Sequence, residues 1–187
     1  EKQEGAVQDD IQLEKRESGA TFEIDLGRTK GIDSRYVPTN MQALVIGEDL
    51  KKPDAYGNTA NPDLVANPDN LAYSATSDTL FIGEDSSLHT NNFVWAYNLK
   101  TKKLSRILSV PVGAEATGLR SLDHVGKYSY LLSNYQHPGE SLTDKQITAV
   151  DPKALEQAMK DGIGIQKTGG VGYLSGLPSG HKSYTNR

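Results

Sequence analysis

The sequence predicts a mainly β protein built from antiparallel hairpins, with one helix near its C-terminal end. Short apolar runs with two-residue alternation recur between residues 20 and 135, which is the period of half-buried strands. Polar turn segments separate these runs at close spacing, as in consecutive hairpins. Residues 151–162 carry the clearest helix signals instead.

The strands are expected in a regular order. Alternation predicts the first two strands, and the turn-rich residues 27–40 separate them. Three hairpins and one further strand follow. The expected strands are 20–26, 41–49, 70–75, 79–84, 93–99, 104–111, 118–123, 128–135 and 146–151. Hairpins at this spacing are typical of an all-β sandwich, barrel or propeller.

The helix is predicted from its end signals. Asp151 can cap its first turn, Pro152 occupies a position that favours proline, and Gly162 ends it. The sequence therefore divides into a charged lead-in over residues 1–18, a β segment over 19–151, and a helix with a loose Gly- and Ser-rich tail over 152–187. The lead-in is expected to be a short helix or disordered.

Composition excludes several classes of function. The chain has 187 residues, a net charge of −4 and no cysteine. The charge gives no basic footprint for nucleic acid, and the missing thiols exclude disulfides and cysteine nucleophiles. The sequence contains neither a complete P-loop nor a Gly-x-Ser-x-Gly motif, so nucleotide binding and serine hydrolase chemistry are not expected. No apolar run is long enough to span a membrane, and the N-terminus does not resemble a signal peptide.

Polar clusters follow the apolar runs between residues 67 and 140. They deliver carboxylates, amides and an imidazole to the expected strand ends. Oxygen ligands suit Ca²⁺ and Mg²⁺, and imidazole with carboxylate suits iron or manganese. The clusters are Asp69-Asn70, Glu84-Asp85, Asn91-Asn92, Glu115 and Gln136-His137.

This ordered set resembles the PhoX-type alkaline phosphatases, a family of calcium- and iron-dependent bacterial phosphomonoesterases with a β-propeller fold. The resemblance covers roughly residues 19–140 and is carried by Asn67-Pro68-Asp69-Asn70, Gly83-Glu84-Asp85, Asn91-Asn92, Glu115-Ala116-Thr117-Gly118 and Gln136-His137-Pro138-Gly139-Glu140. It implies a phosphate monoester as substrate, Ca and Fe as cofactors, and a periplasmic or secreted location.

The resemblance also implies that this chain is the C-terminal part of a longer protein. Family members are several times longer, and their iron site includes a cysteine and glutamates from an upstream segment that this chain lacks. The strands amount to roughly two blades, whereas propellers have about 4–8. The upstream part of the same protein is therefore an expected partner, and open sheet edges favour self-association.

Roles follow from the resemblance residue by residue. For each there is a structural alternative: an acidic pair facing water, an Asn-Pro-Asp-Asn turn, an asparagine at a strand entry, or a structural histidine. The implied metal ligands are Glu84, Asp85, Glu115 and Asp69. His137 and Asn92 are implied in catalysis, and Asn70, Asn91 and His89 in substrate binding.

The sequence also predicts two features of the site geometry and leaves one alternative function open. The polar loop 50–69 is expected to fold back over the carboxylates, because it leads directly into Asp69. Glu84, Asp85 and Glu115 are expected to converge on one cation. The alternative function is a non-catalytic, propeller-like binding or structural module, which the short length and missing cysteine favour.

Overall fold

Three antiparallel sheets, packed in chain order, form the β part of the molecule. The computed structural model describes residues 15–140, 151–162 and 168–178. The first sheet is a hairpin of β1 (Ala20–Gly27) and β2 (Val37–Ile46). The second is a meander of β3 (Pro68–Ser74), β4 (Thr79–Glu84), β5 (Phe93–Asn98) and β6 (Lys103–Ser109). The third contains β7 (Glu115–Val125), β8 (Tyr128–Gln136) and β9 (Gly170–Pro178).

The two central strands of the middle sheet, β4 and β5, are buried on both faces. Successive side chains of a strand point to opposite faces, so neighbouring residues of β4 enter different cores. Ile82 packs with residues of the first sheet and the following loop, including Val45. Phe81 packs with residues of the third sheet, including Leu131. This position explains why β4 and β5 read as nearly continuous apolar runs.

A glycine allows the second and third sheets to approach closely. A Cβ atom on Gly83 would lie 2.3 Å from the carbonyl oxygen of Ala116, a distance at which the backbone would have to move. The end of β4 therefore lies against the start of β7. Two of the predicted polar clusters, at the end of β4 and the beginning of β7, are thereby brought to the same region.

The helix is confirmed as α1 (Pro152–Gly162). Its predicted cap is also present, because the Asp151 carboxylate accepts a hydrogen bond from the Lys153 amide at 3.0 Å. None of the described helical residues belongs to a helix long and apolar enough to cross a membrane.

The mainly β, antiparallel prediction is confirmed, and β4 has the predicted bounds. β2 begins at Val37, inside the segment expected to be a turn. A further strand is expected over residues 146–151, but residues 146–150 lie outside the described part of the chain.

The predicted domain boundaries need two corrections. The tail was expected to be loose, but residues 170–178 form β9 on the edge of β8. Its glycines allow close packing: a Cβ atom on Gly170 would lie 2.4 Å from the Tyr135 ring. At the other end, Ser18 is fully buried and its amide donates to Asp49 at 2.7 Å, so the last lead-in residues belong to the fold.

Candidate functional site

Glu84 is a fully buried carboxylate that the protein itself satisfies. Its Oε1 atom accepts hydrogen bonds from the Ala66 amide at 2.9 Å and the Trp95 indole at 2.7 Å. Its Oε2 atom accepts from the Phe93 amide at 2.9 Å and faces His89 Nδ1 at 3.1 Å. A carboxylate has about four acceptor positions, and protein donors occupy all four. Glu84 is therefore structurally engaged in this arrangement.

The partner of Glu84 is a buried histidine whose two ring nitrogens both face acceptors. His89 is also fully buried. Its Nδ1 atom faces the Glu84 carboxylate, and its Nε2 atom lies 3.2 Å from the Asn61 carbonyl oxygen, which has no hydrogen to give. A neutral imidazole has only one N–H, whereas an imidazolium has two. Only a ring with both N–H groups could donate to both acceptors, and an imidazolium–carboxylate pair is an arrangement in which a buried charge is tolerated.

The polar loop 50–69 covers this pair, which confirms its predicted position with respect to Glu84. The loop supplies the Ala66 amide to Glu84 and the Asn61 carbonyl to His89. It is also tied to the segment after β4, because the Thr90 hydroxyl donates to the Tyr56 carbonyl at 2.6 Å. These contacts show that the loop helps to bury Glu84 and His89.

Asp85, the next residue, belongs to a different environment. Its side chain reaches solvent, but partial desolvation raises the pKa of its carboxyl above the usual value. The negative charges of Asp69 and Glu140 raise this pKa further, and His137 acts in the opposite direction. These four residues, from three chain segments, are called the acidic rim below. Neighbouring carboxylates of this kind create an environment that favours a cation.

The backbone around the acidic rim contains two unusual conformations. Asn67 and His137 have left-handed φ values of 41° and 50°. Non-glycine residues adopt this region uncommonly, and such conformations cluster at functional sites. The Asn67 carbonyl accepts from the Asp85 amide at 3.2 Å, and the His137 ring lies 3.7 Å from the Glu140 carboxylate. The unusual backbone therefore adjoins the residues of the rim.

The amide side chains of the predicted site are engaged to different extents. Asn92 is buried, accepts from the Ser86 amide at 3.1 Å and donates to the Ala114 carbonyl at 2.8 Å. Asn91 is half-buried and donates to the Val110 carbonyl at 2.9 Å. The amide of Asn70 donates to the carboxylate of Asp69. Asn92 therefore links the segment after β4 to the segment before β7, and Asn70 contacts Asp69 of the acidic rim.

Glu115 lies at the start of β7, half-buried and opposite Gln136 of β8. It is not among the charges that shift the pKa of Asp85. The described residues contain no group of three or more His, Cys, Asp or Glu side chains that could hold a metal ion. The expected sharing of one cation by Glu84, Asp85 and Glu115 is therefore not formed by the described part of this chain.

Sequence reasoning missed one member of the acidic rim. Glu140 lies in the Gln-His-Pro-Gly-Glu segment but received no role. Its amide donates to the His137 carbonyl at 2.9 Å, which closes a tight turn and places the carboxylate beside the histidine. A Pro-Gly pair between a histidine and a glutamate is a turn signal that could have paired them.

Comparison of the chain with protein-family models, with curated proteins and with solved structures gave no match. The relation to the PhoX-type phosphatases therefore stays a prediction based on the ordered motifs.

Proposed function

We propose that this chain is the C-terminal portion of a metal-dependent phosphatase that hydrolyses phosphate monoesters, and that it contributes the acidic rim to the reaction centre. The proposal extends to a periplasmic or secreted location and to a propeller architecture. A four-stranded antiparallel meander such as β3–β6 is the usual content of one propeller blade.

The observation that supports this proposal best is the acidic rim itself. Partial desolvation raises the pKa of the Asp85 carboxyl, and the negative charges of Asp69 and Glu140 raise it further, whereas His137 lowers it. Phosphoryl transfer needs cations that neutralise the phosphate, and carboxylate oxygens are the ligands through which proteins hold such cations.

The acidic rim does not by itself fit a calcium or iron ion. The described residues form no complete metal-holding group, so the proposal requires further ligands from the upstream part of the protein. In this proposal Asp69, Asp85 and Glu140 supply negative charge, and His137 contributes its imidazole to the reaction centre.

The test is a phosphomonoesterase assay on the longer protein that contains this chain. With p-nitrophenyl phosphate as substrate, activity is expected to disappear on chelation and return with Ca²⁺ and Fe. Asp85→Asn should lower activity by at least tenfold, because it removes one rim carboxylate at nearly constant volume. The control is Asp33→Asn, an exposed residue between β1 and β2, which should leave activity unchanged. A parent protein without metal and without activity would refute the proposal.

A non-catalytic binding or structural module is the second candidate, and a specific observation favours it. Glu84 and Asn92, two residues expected to act in the site, are instead bonded to protein groups at both ends of their polar side chains. Calorimetric titration of this chain with Ca²⁺ separates the candidates. Stoichiometric binding that Asp85→Asn abolishes favours the phosphatase, whereas no binding together with an inactive parent favours the module.

Self-association through sheet edges belongs to the same proposals. The β1–β2 hairpin has only two strands and leaves apolar side chains exposed, including Ile24 and Leu26. Such edges are usually paired or covered. Light scattering at increasing concentration is expected to show a mass above that of the 20.3 kDa monomer; a constant monomer mass would contradict the prediction.

A further inference from the structure

A cleft of about 590 Å³ lies between the polar loop and strands β5 and β6. This volume is within the range of small-molecule sites. Its lining combines apolar, amide and hydroxyl groups with a single guanidinium; the residues that matter for binding are Tyr56, Asn91, Phe93, Arg106 and Ser109. None of them belongs to the acidic rim, so the inference drawn from the cleft does not depend on the proposed phosphatase function.

Arg106 is the cationic group of the cleft, and aromatic rings hold it in place. Its guanidinium carbon lies 4.4 Å from the centre of the Phe93 ring and 5.6 Å from that of Trp95. Stacking of this kind fixes the plane of the guanidinium and lowers the cost of ordering it around a ligand. Arg106 therefore offers a preorganised planar donor.

Most of the hydrogen-bonding capacity of Arg106 is left for a ligand. Among the described residues, its hydrogen-bond partner is Asp63, at 3.2 Å from Nη2. A guanidinium has five N–H groups, so one bond leaves the others available. The planar fork of Arg matches carboxylate and phosphate groups.

Asp63 is the anionic side chain that pairs with the Arg106 guanidinium. Its side chain is 84% exposed, and that of Arg106 is 40% exposed. Exposed ion pairs of this kind contribute little to stability, so a ligand that makes two bonds to the guanidinium can replace Asp63.

An aromatic side chain at the mouth of the cleft supplies an apolar surface. Tyr56 is 74% exposed, yet its backbone is fixed on both sides. Its amide donates to Asp54 at 2.8 Å, and its carbonyl accepts from the Thr90 hydroxyl at 2.6 Å. An exposed ring on an anchored backbone is suited to stacking against a flat ligand.

We propose that this cleft binds a small aromatic oxyanion, whose charged group replaces Asp63 at Arg106 and whose ring packs against Tyr56. The carboxylate and the phosphate forms share this chemistry. Asn91 and Ser109 belong to the same lining and add polar groups to it.

The test is calorimetric titration of the full chain with benzoate and with phenyl phosphate, each at constant ionic strength. Binding of either probe is expected, and the tighter of the two identifies the charged group that the cleft prefers. Inorganic phosphate, which lacks the ring, should bind at least tenfold more weakly than phenyl phosphate if the phosphate form is preferred. If the wild-type chain binds neither aromatic probe, the proposal is wrong.

Variants then assign the binding to this cleft. Arg106→Gln should weaken binding at least tenfold, Tyr56→Ala several-fold, and Asp63→Asn should strengthen it several-fold because the internal competitor is removed. Arg120→Gln, an exposed change of the same charge on β7 in the third sheet, should have no effect. Asp63 is so exposed that its variant should fold normally, and unchanged or weaker binding by Asp63→Asn would refute the proposed replacement even if Arg106→Gln failed to fold.

Discussion

Glu84 and Asp85 are consecutive carboxylates in the same chain, and the fold gives them opposite environments. Glu84 is fully buried and receives four protein donors, one of them His89. Asp85 reaches solvent, and partial desolvation together with the negative charges of Asp69 and Glu140 raises the pKa of its carboxyl. Side chains alternate across a strand, so adjacent residues at a strand end point to different sides. A carboxylate surrounded by protein hydrogen-bond donors is a structural group, whereas one that lacks such donors is available to a ligand.

The strongest test of this comparison is the substitution Glu84→Gln. It keeps the volume but removes the charge and places an amide among four donors, so His89 loses its counter-ion. Loss of one partner of a buried pair costs about 3–5 kcal/mol. Urea unfolding followed by circular dichroism should therefore show a large decrease in the free energy of unfolding. A change below about 1 kcal/mol would show that Glu84 is not a structural charge.

A smaller loss is expected when one donor to Glu84 is removed. Trp95→Phe takes away the indole N–H that bonds Oε1 at 2.7 Å. Hydrogen bonds to charged groups contribute about 1.5–3 kcal/mol, so the decrease in unfolding free energy should fall near this range. The matched control is Tyr97→Phe, on the same strand and also buried, which removes a hydroxyl that does not bond Glu84. Equal losses in the two variants would contradict the role of the indole.

The smallest effect, and one of opposite sign, is expected for Asp85→Asn. A raised pKa in the folded protein means that the charged carboxylate is less favourable there than in the unfolded chain. Asp85 therefore lowers stability above its raised pKa, and this penalty disappears as the pH falls through that value and the folded state takes up the proton. Asp85→Asn should raise the melting temperature slightly at pH 7, and the gain should vanish in acid.

Thermal unfolding at several pH values checks this prediction, with Asp33→Asn as the exposed control. If Asp85→Asn lowers the melting temperature at pH 7, then the carboxylate is compensated and the acidic rim is not a site of stored repulsion.

The sequence was sufficient to predict the strands whose local pattern agrees with their burial. The run Thr79–Glu84 has clear turns on both sides, and its predicted bounds are those of β4. The strand Gly170–Pro178 was missed because its composition is that of a loop, and only the free edge of β8 makes it a strand. Local propensity cannot report a partner that lies 40 residues away in the chain.

The site shows the same limit. The sequence marked Asp69, Asp85 and His137 as polar residues at strand ends, and the structure brings these three together. The sequence alone could not show that Glu84 is a structural residue. The groups that contact its carboxylate come from residues 66, 89, 93 and 95, which meet only in the folded chain. Charge pairing of this kind depends on tertiary contacts, which cannot be predicted from the local pattern of a single sequence.

Nitrogen-edited NMR of the His89 ring at neutral pH tests most directly whether Glu84 is a buried charge with a counter-ion. If Glu84 is a compensated structural charge, both ring nitrogens carry hydrogens, one directed to Glu84 and one to the Asn61 carbonyl. Two protected ring N–H signals are expected, and both should disappear in His89→Gln. A ring with a single N–H would contradict this expectation, because Glu84 would then be a buried charge without a counter-ion, and its difference from Asp85 would need another explanation.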